Sequence, residues 1–509
     1  MISVRSVTKR GPTTSACWLA CLLLALPSPT LATRWDWREL NVGRLTIYST
    51  RDDKVTRSIA ISLQLFEATI GRMLQNEHTR LPDIPTYVYI LHGSDFYKYA
   101  GWPGVVGFFS QHLFENVIVF DGDKVFAETS QGIFHEYAHY LQANVQNAAY
   151  PPWYKEGFAE TLQTFRVQGN DIVVGDGPPY GRFVDRTRWI PIARVLAVTQ
   201  RDPEYRRENL AQEFYAESWA LVHLMMFERP DLGHSASIYL RDLDDGIPEP
   251  DAYARGFSLS KDELDSAVRD YVAGERIKYQ RLRFKELPAV ESAPIRRLPA
   301  WEADRELAGL LVRLNETKRG AKELLHSALG AQPDDARGQA LLASVLSDAG
   351  DHAGANTALE RALAAHPADP RVLEDIADVL LAAGDDEPGS SDSSNSGRAQ
   401  RVRDLLAPAV KAGGAPLGLV YKWAQASRSI GADLPQLLAV VETELLRAPR
   451  NLPLLWLAAE LNATLGRPAQ AREHLENYIL AESDPDRRLA AQKWMDSDAL
   501  TRAQPASGH

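Results

Sequence analysis

His135-Glu136-Tyr137-Ala138-His139 is the stretch on which the reading of this 509-residue chain turns. It sits in a segment whose apolar residues Phe134, Ala138, Leu141 and Val145 recur at helical spacing, so one face can enter a core. Histidines at i and i+4 then leave the helix on one side, one turn apart. Two neutral imidazoles so placed can reach one Zn²⁺ at roughly 2.0–2.1 Å each, and Glu136 stands where a carboxylate can take a proton from a metal-activated water. The pattern H-E-x-x-H on a helix therefore points to metal-assisted hydrolysis, most often of a peptide bond. With 12 histidines in the chain, the competing reading is an incidental exposed pair, and a third ligand is needed to decide.

Downstream stands Pro151-Pro152-Trp153-Tyr154-Lys155-Glu156-Gly157-Phe158-Ala159-Glu160. The prolines mark a helix start. Phe158, Leu162 and Phe165 continue at helical spacing, and Glu156 falls in the expected first turn. The interval from His139 lets one helix end, a loop turn, and a carboxylate return to the metal. Glu160 lies one turn further on the same face, placed to accept the free N–H of a ligating histidine. Alone, the two glutamates would read as a solvated helix face.

Together, HEYAH and WYKEGFAE resemble the gluzincin metallopeptidases, in particular the secreted peptidase MA-like domains. The resemblance implies a thermolysin-like catalytic domain in which His135, His139 and Glu156 bind zinc, Glu136 is the general base, and Glu160 orients a histidine. It covers roughly residues 85–230, and more loosely the chain up to 285. Phe214-Tyr215-Ala216-Glu217-Ser218-Trp219 resembles the helix of zinc aminopeptidases whose tyrosine points at the metal, so Tyr215 is the expected oxyanion donor. Its other reading is a tyrosine packed in the core. The strand expected over Val105–Gln111 corresponds to the gluzincin sheet edge, and Gly107, Phe108, Phe109 and Ser110 would pair with an extended substrate. An ordinary core hairpin is compatible with that role. Leu113-Phe114-Glu115-Asn116 lacks the glycine and methionine of the aminopeptidase amine-binding motif, so Glu115 reads as a hairpin-turn residue.

Composition sets outer bounds. Hydrophobic content of 45% and charged content of 24% suit globular domains, and the length suits at least two. A net charge of −11 argues against nucleic-acid binding. Residues 1–32 read as a secretory signal, with basic Arg5, Lys9 and Arg10, an apolar Ala16–Leu26 run and small residues at 30–32. Its removal takes three basic and no acidic residues, moving the net charge from −11 to −14. Both cysteines, Cys17 and Cys21, lie inside it, so the mature chain has no thiol chemistry. An uncleaved anchor and a lipidated Cys21 are the alternatives. The expected location is exported, periplasmic or secreted, with no membrane span after signal cleavage.

The expected architecture is α+β: strands and helices to about residue 125, then mainly helix to 285, with the metal helix at the junction. Pro288, Pro294 and Pro299 mark a linker over 286–300. Beyond it, Gln332-Pro333-Asp334-Asp335 is echoed by His366-Pro367-Ala368-Asp369, and Gly350-Asp351 by Gly384-Asp385. The 34-residue interval is the tetratricopeptide period, so residues 301–498 read as an α-helical tetratricopeptide-like solenoid with a protein partner, and a non-repetitive bundle is the alternative. Residues 385–397 read as a serine-rich flexible insertion and 499–509 as a disordered tail. The sequence thus describes an exported zinc peptidase acting on a peptide or protein substrate. The alternative is a non-catalytic envelope scaffold in which the repeats bind partners.

Overall fold

The computed structural model describes residues 35–73, 84–101, 106–112, 114–124, 131–145, 150–169, 171–177, 189–199, 201–206, 208–274, 277–283, 292–314, 318–382, 392–482, 485–497 and 500. The expected signal segment 1–32 lies outside them.

Strands β1 (Arg38–Val42), β2 (Leu45–Ser49), β3 (Thr86–Leu91), β4 (Gly107–Gln111) and β5 (Asn116–Asp121) follow from β-branched and aromatic runs. Helices α1 (Asp53–Met73) and α2 (Gly93–Tyr99) lie between them, as the periodicity through Ile59, Leu63, Phe66 and Ile70 predicts for the first. Then come α3 (Gln131–Val145), which carries HEYAH, and α4 (Pro152–Leu162). Next are β6 (Arg166–Gln168), β7 (Asp171–Val174), α5 (Ile192–Ala197), α6 (Pro203–Arg206) and α7 (Glu208–His223). The last of these continues as a π-turn over Leu224–Glu228. Helices α8 (Pro230–Asp244), α9 (Glu249–Gly256) and α10 (Lys261–Ala273) precede strands β8 (Gln280–Arg283) and β9 (Ile295–Arg297).

Two sheets result. One has the order β4-β5-β3-β2-β1-β9, with β2, β3 and β5 parallel and the outer pairs antiparallel. The other is the small sheet β6-β7-β8. Side chains alternate along each strand of the large sheet. Ile47, Val88, Ile90, Ile118 and Phe120 join a core with α1, α3, α4 and α7. Tyr48, Tyr87, Tyr89, Val117 and Val119 point the other way, where Phe96 of α2, Leu307, Leu311, Leu324 and Leu341 cover them. Both faces are therefore buried, which accounts for the unbroken burial of β3 and β5.

The cover on that second face is the start of the solenoid. It comprises α11 (Ala300–Leu314), α12 (Lys318–Ala331), α13 (Ala336–Asp348), α14 (His352–Ala364), α15 (Pro370–Ala382) and α16 (Asp392–Ala412). It continues with α17 (Leu417–Ser429), α18 (Leu434–Arg447), α19 (Leu452–Thr464), α20 (Pro468–Ala481) and α21 (Pro485–Met495). Successive helices pair, and α11, α13, α15 and α17 each also pack on the next odd-numbered helix. From Ala336 to Pro370 is the expected 34 residues. Gly350 and Gly466 turn the chain within their hairpins at φ of +77° and +71°, a conformation that favours glycine.

Four expectations change. The stretch 286–300, read as a linker, carries β9, which pairs with β1 from Arg38↔Arg297 to Leu40↔Ile295. Three residues hemmed by prolines are too few to read as a strand, but Arg296 binds Glu39 and Glu302 across the join. Residues 392–397 of the expected flexible insertion open α16, while 385–391 fall outside the described residues. Leu500, assigned to the tail, is buried in the core of α17–α21. Residues 33–285 are not a separate body: Ala32–His509 forms one compact unit. Among the described residues no helix is long and apolar enough to cross a membrane.

The seam between sheet and solenoid is charged as well as apolar. Arg371 lies 3.9 Å from the centre of the Tyr87 ring, donates to Tyr48 Oη at 2.8 Å, and meets Glu306 at 3.1 Å. Burial opposes charge on Glu306, yet Arg337, Arg371 and Arg305 hold its carboxyl well below the usual range. A chain ending at Lys285 would lose this cover. Burying three tyrosines is worth on the order of 10 kcal/mol at most, against a typical net stability of about 5–15 kcal/mol. We therefore expect the 33–285 fragment to aggregate or lack a cooperative thermal transition while the chain from residue 33 melts cooperatively. A soluble, cooperatively folded fragment would refute the shared core.

Candidate metal centre

Helix α3 turns Ile133, Tyr137 and Tyr140 toward the sheet, with Phe109 of β4 5.8 and 5.6 Å from the two tyrosine rings. At about 100° per residue, His135 and His139 emerge on the opposite side, and Glu136 takes the flank between. Gly107 allows this approach, because a Cβ there would come within 2.3 Å of Ile133 Cδ1 and 2.7 Å of Val119 O. Glycine also sets the next contact. A Cβ on Gly157 would lie 2.2 Å from Ser218 O, so the close approach of α4 to α7 here requires glycine. Their approach brings Glu156 beneath the histidines, in the second turn of α4 rather than the expected first, because the helix begins at Pro152.

The three side chains converge. His135 Nε2 and His139 Nε2 are 3.1 Å apart, and Glu156 Oε2 lies 3.4 and 3.2 Å from them. Among the described residues this is the one group of three histidine, cysteine or acidic side chains with mutually close ligand atoms. Two imidazole nitrogens and a carboxylate oxygen lie close enough together to share one metal ion. A tetrahedral zinc with bonds of 2.0–2.1 Å requires ligand atoms about 3.3 Å apart, and the observed triangle fits it.

Surrounding groups fix the triangle. His135 Nδ1 lies 3.4 Å from Glu160 Oε1, the contact expected of an orienting carboxylate. Gln163 donates to the other Glu160 oxygen. Burial pushes the Glu160 carboxyl up to about 7, against the charge of His135 and with that of Glu156. Burial disfavours a charged His135, but Glu156 and Glu160 outweigh it and raise its pKa. Tyr205 Oη donates to Glu156 Oε1 at 2.9 Å, leaving Oε2 for the triangle. Nothing in the sequence marked Tyr205. It sits on the four-residue α6, and the turn before α6 is pinned by Arg194 to Asp202 and Glu204. The Tyr215 ring centre is 6.5 Å from that of His135 and 6.4 Å from that of Tyr205, so α7 does deliver it to the group. Glu136 is exposed on α3, within electrostatic reach of His135 and Tyr205. Strand β4, with Gly107 to Ser110, is an outer strand of the sheet and runs along the Tyr137 side of α3.

No family model and no curated protein matches the chain. Among solved structures it is similar to YrrB, a TPR protein with an unusual peptide-binding site, at 18% identity and a TM-score of 0.30, over 38% of this chain and 91% of that one. It is also similar to pilF of Pseudomonas aeruginosa, at 17% identity and a TM-score of 0.32, over 40% and 90%. At these scores the likenesses assign no family.

The triangle predicts one Zn²⁺ per chain by elemental analysis, lost in His139→Ala. Tyr205→Phe should retain zinc but bind it about 10–100-fold more weakly, as for other groups that orient a ligand. Since the ligating imidazoles must be neutral and the carboxylates raise the His135 pKa, affinity should fall as pH drops through that raised value. Stoichiometric zinc in His139→Ala would discard the site.

Proposed function

We propose that the chain is an exported zinc-dependent peptidase of gluzincin type. The observation that carries this reading is the His135–His139–Glu156 triangle with Glu136 exposed on the same helix. Zinc, when bound, supplies a Lewis acid and lowers the pKa of a water ligand to about 7. Glu136 is the proton carrier, taking a proton from the attacking water and giving it to the leaving amine. Tyr215 donates a hydrogen bond to the oxyanion. Tyr205 and Glu160 hold Glu156 and His135 in register. Among the described residues β4 is the last strand on its side of the sheet, so the substrate is a polypeptide in extended form, laid along that edge. The histidine and strand sides of α3 meet at Glu136, which suits a base acting on a peptide bond laid along β4. The solenoid serves a protein partner, and periplasmic or secreted placement follows from the amino-terminal sequence.

Glu136→Gln should keep metal and fold while chelator-sensitive cleavage of a peptide library falls by about 10²–10⁴-fold. Tyr215→Phe should lower kcat by about 10²–10³-fold with little change in KM. If the zinc-loaded wild type cleaves no peptide or protein, the scaffold reading replaces the enzymatic one.

A further inference from the structure

The wall formed by the odd-numbered helices is not turned to open solvent along its first half. Arg313 of α11 binds Glu115, Leu341 of α13 joins the core on the second face of the sheet, Arg371 of α15 lies on Tyr87, and Tyr421 of α17 meets Phe114 at 5.0 Å between ring centres. Phe114 and Glu115 belong to the turn joining β4 to β5, which His112 N closes by donating to Glu115 O at 2.9 Å. A Cβ on Gly418 would stand 2.9 Å from Phe114 Cβ, so α17 fits closely over the turn. Arg313 holds the Glu115 carboxyl below its usual range against burial. On the other side Phe109 is held by Tyr137 and Tyr140.

We infer that the solenoid positions the edge strand: Tyr421 and Arg313, by gripping Phe114 and Glu115, set where β4 lies against the helix that carries HEYAH. The inference rests on the reading that β4 receives the substrate. Among the described residues β4 has one strand neighbour, β5, so the turn grip supplies restraint that a second neighbour would otherwise give. The solenoid's far end approaches the opposite side of the ligand group. Asp486 of α21 meets Arg201 at 3.3 Å, just before the helix that bears Tyr205, and Arg450 and Arg488 are within electrostatic reach of Lys155, the neighbour of Glu156.

The test compares Tyr421→Ala with Tyr421→Phe in the full chain by hydrogen–deuterium exchange, metal content and steady-state kinetics. Losing the ring pair should speed exchange of the 107–111 amides by about three- to tenfold and raise KM by a similar factor. Zinc should stay stoichiometric and kcat should stay within about twofold of wild type. Tyr421→Phe keeps the ring and should match wild type. Should Tyr421→Ala fail to fold, Phe114→Leu tests the same contact from the other side. Faster exchange confined to α17, with 107–111 unchanged, would overturn the inference. Exchange and metal content report on the grip whether or not any substrate is cleaved, so absent wild-type cleavage counts against the peptidase reading alone.

Discussion

A sheet with two apolar faces governs this molecule. Ile47, Val88 and Ile118 on one side and Tyr48, Tyr89 and Val119 on the other must both leave water. The helices of the ligand group satisfy the first face. Among the described residues the second face is covered by the short α2 and by the first hairpins of the solenoid. What reads as a chain of two modules is one body built on a shared sheet. Its geometry places the edge strand between a helix of histidines and a wall of repeats.

Two glycines turn that framework into a site. Gly107 lets α3 lie against β4, and Gly157 lets α4 lie against α7, so that two histidines and a glutamate meet with their ligand atoms 3.1–3.4 Å apart. The group is held by Tyr205 on Glu156 and by Glu160 on His135. By contrast, His223 is buried between Gly175 O and Tyr271 Oη and has its pKa pushed down to about 4, the state of a packed neutral imidazole.

The parts legible in the sequence are those set by local spacing. The i, i+4 histidines, the proline-started helix after them, the strand runs and the 34-residue helical period each depend on residues close in the chain. Tyr205 was not legible, because its partner Glu156 is 49 residues away and α6 is a single turn. Strand β9 was hidden by its length and flanking prolines, and its reason to exist, pairing with β1, lies far earlier in the chain. The grip on the β4–β5 turn joins residues 114 and 421, a contact that no periodicity encodes.

The central claim is that His135, His139 and Glu156 share one metal ion. It is tested most directly by X-ray diffraction from native crystals on either side of the zinc absorption edge. One anomalous peak per chain is expected at about 2.0–2.2 Å from His135 Nε2, His139 Nε2 and Glu156 Oε2, present above the edge and absent below it. A zinc-replete crystal with its peak elsewhere, or with these three atoms closed on one another by hydrogen bonds alone, would contradict it.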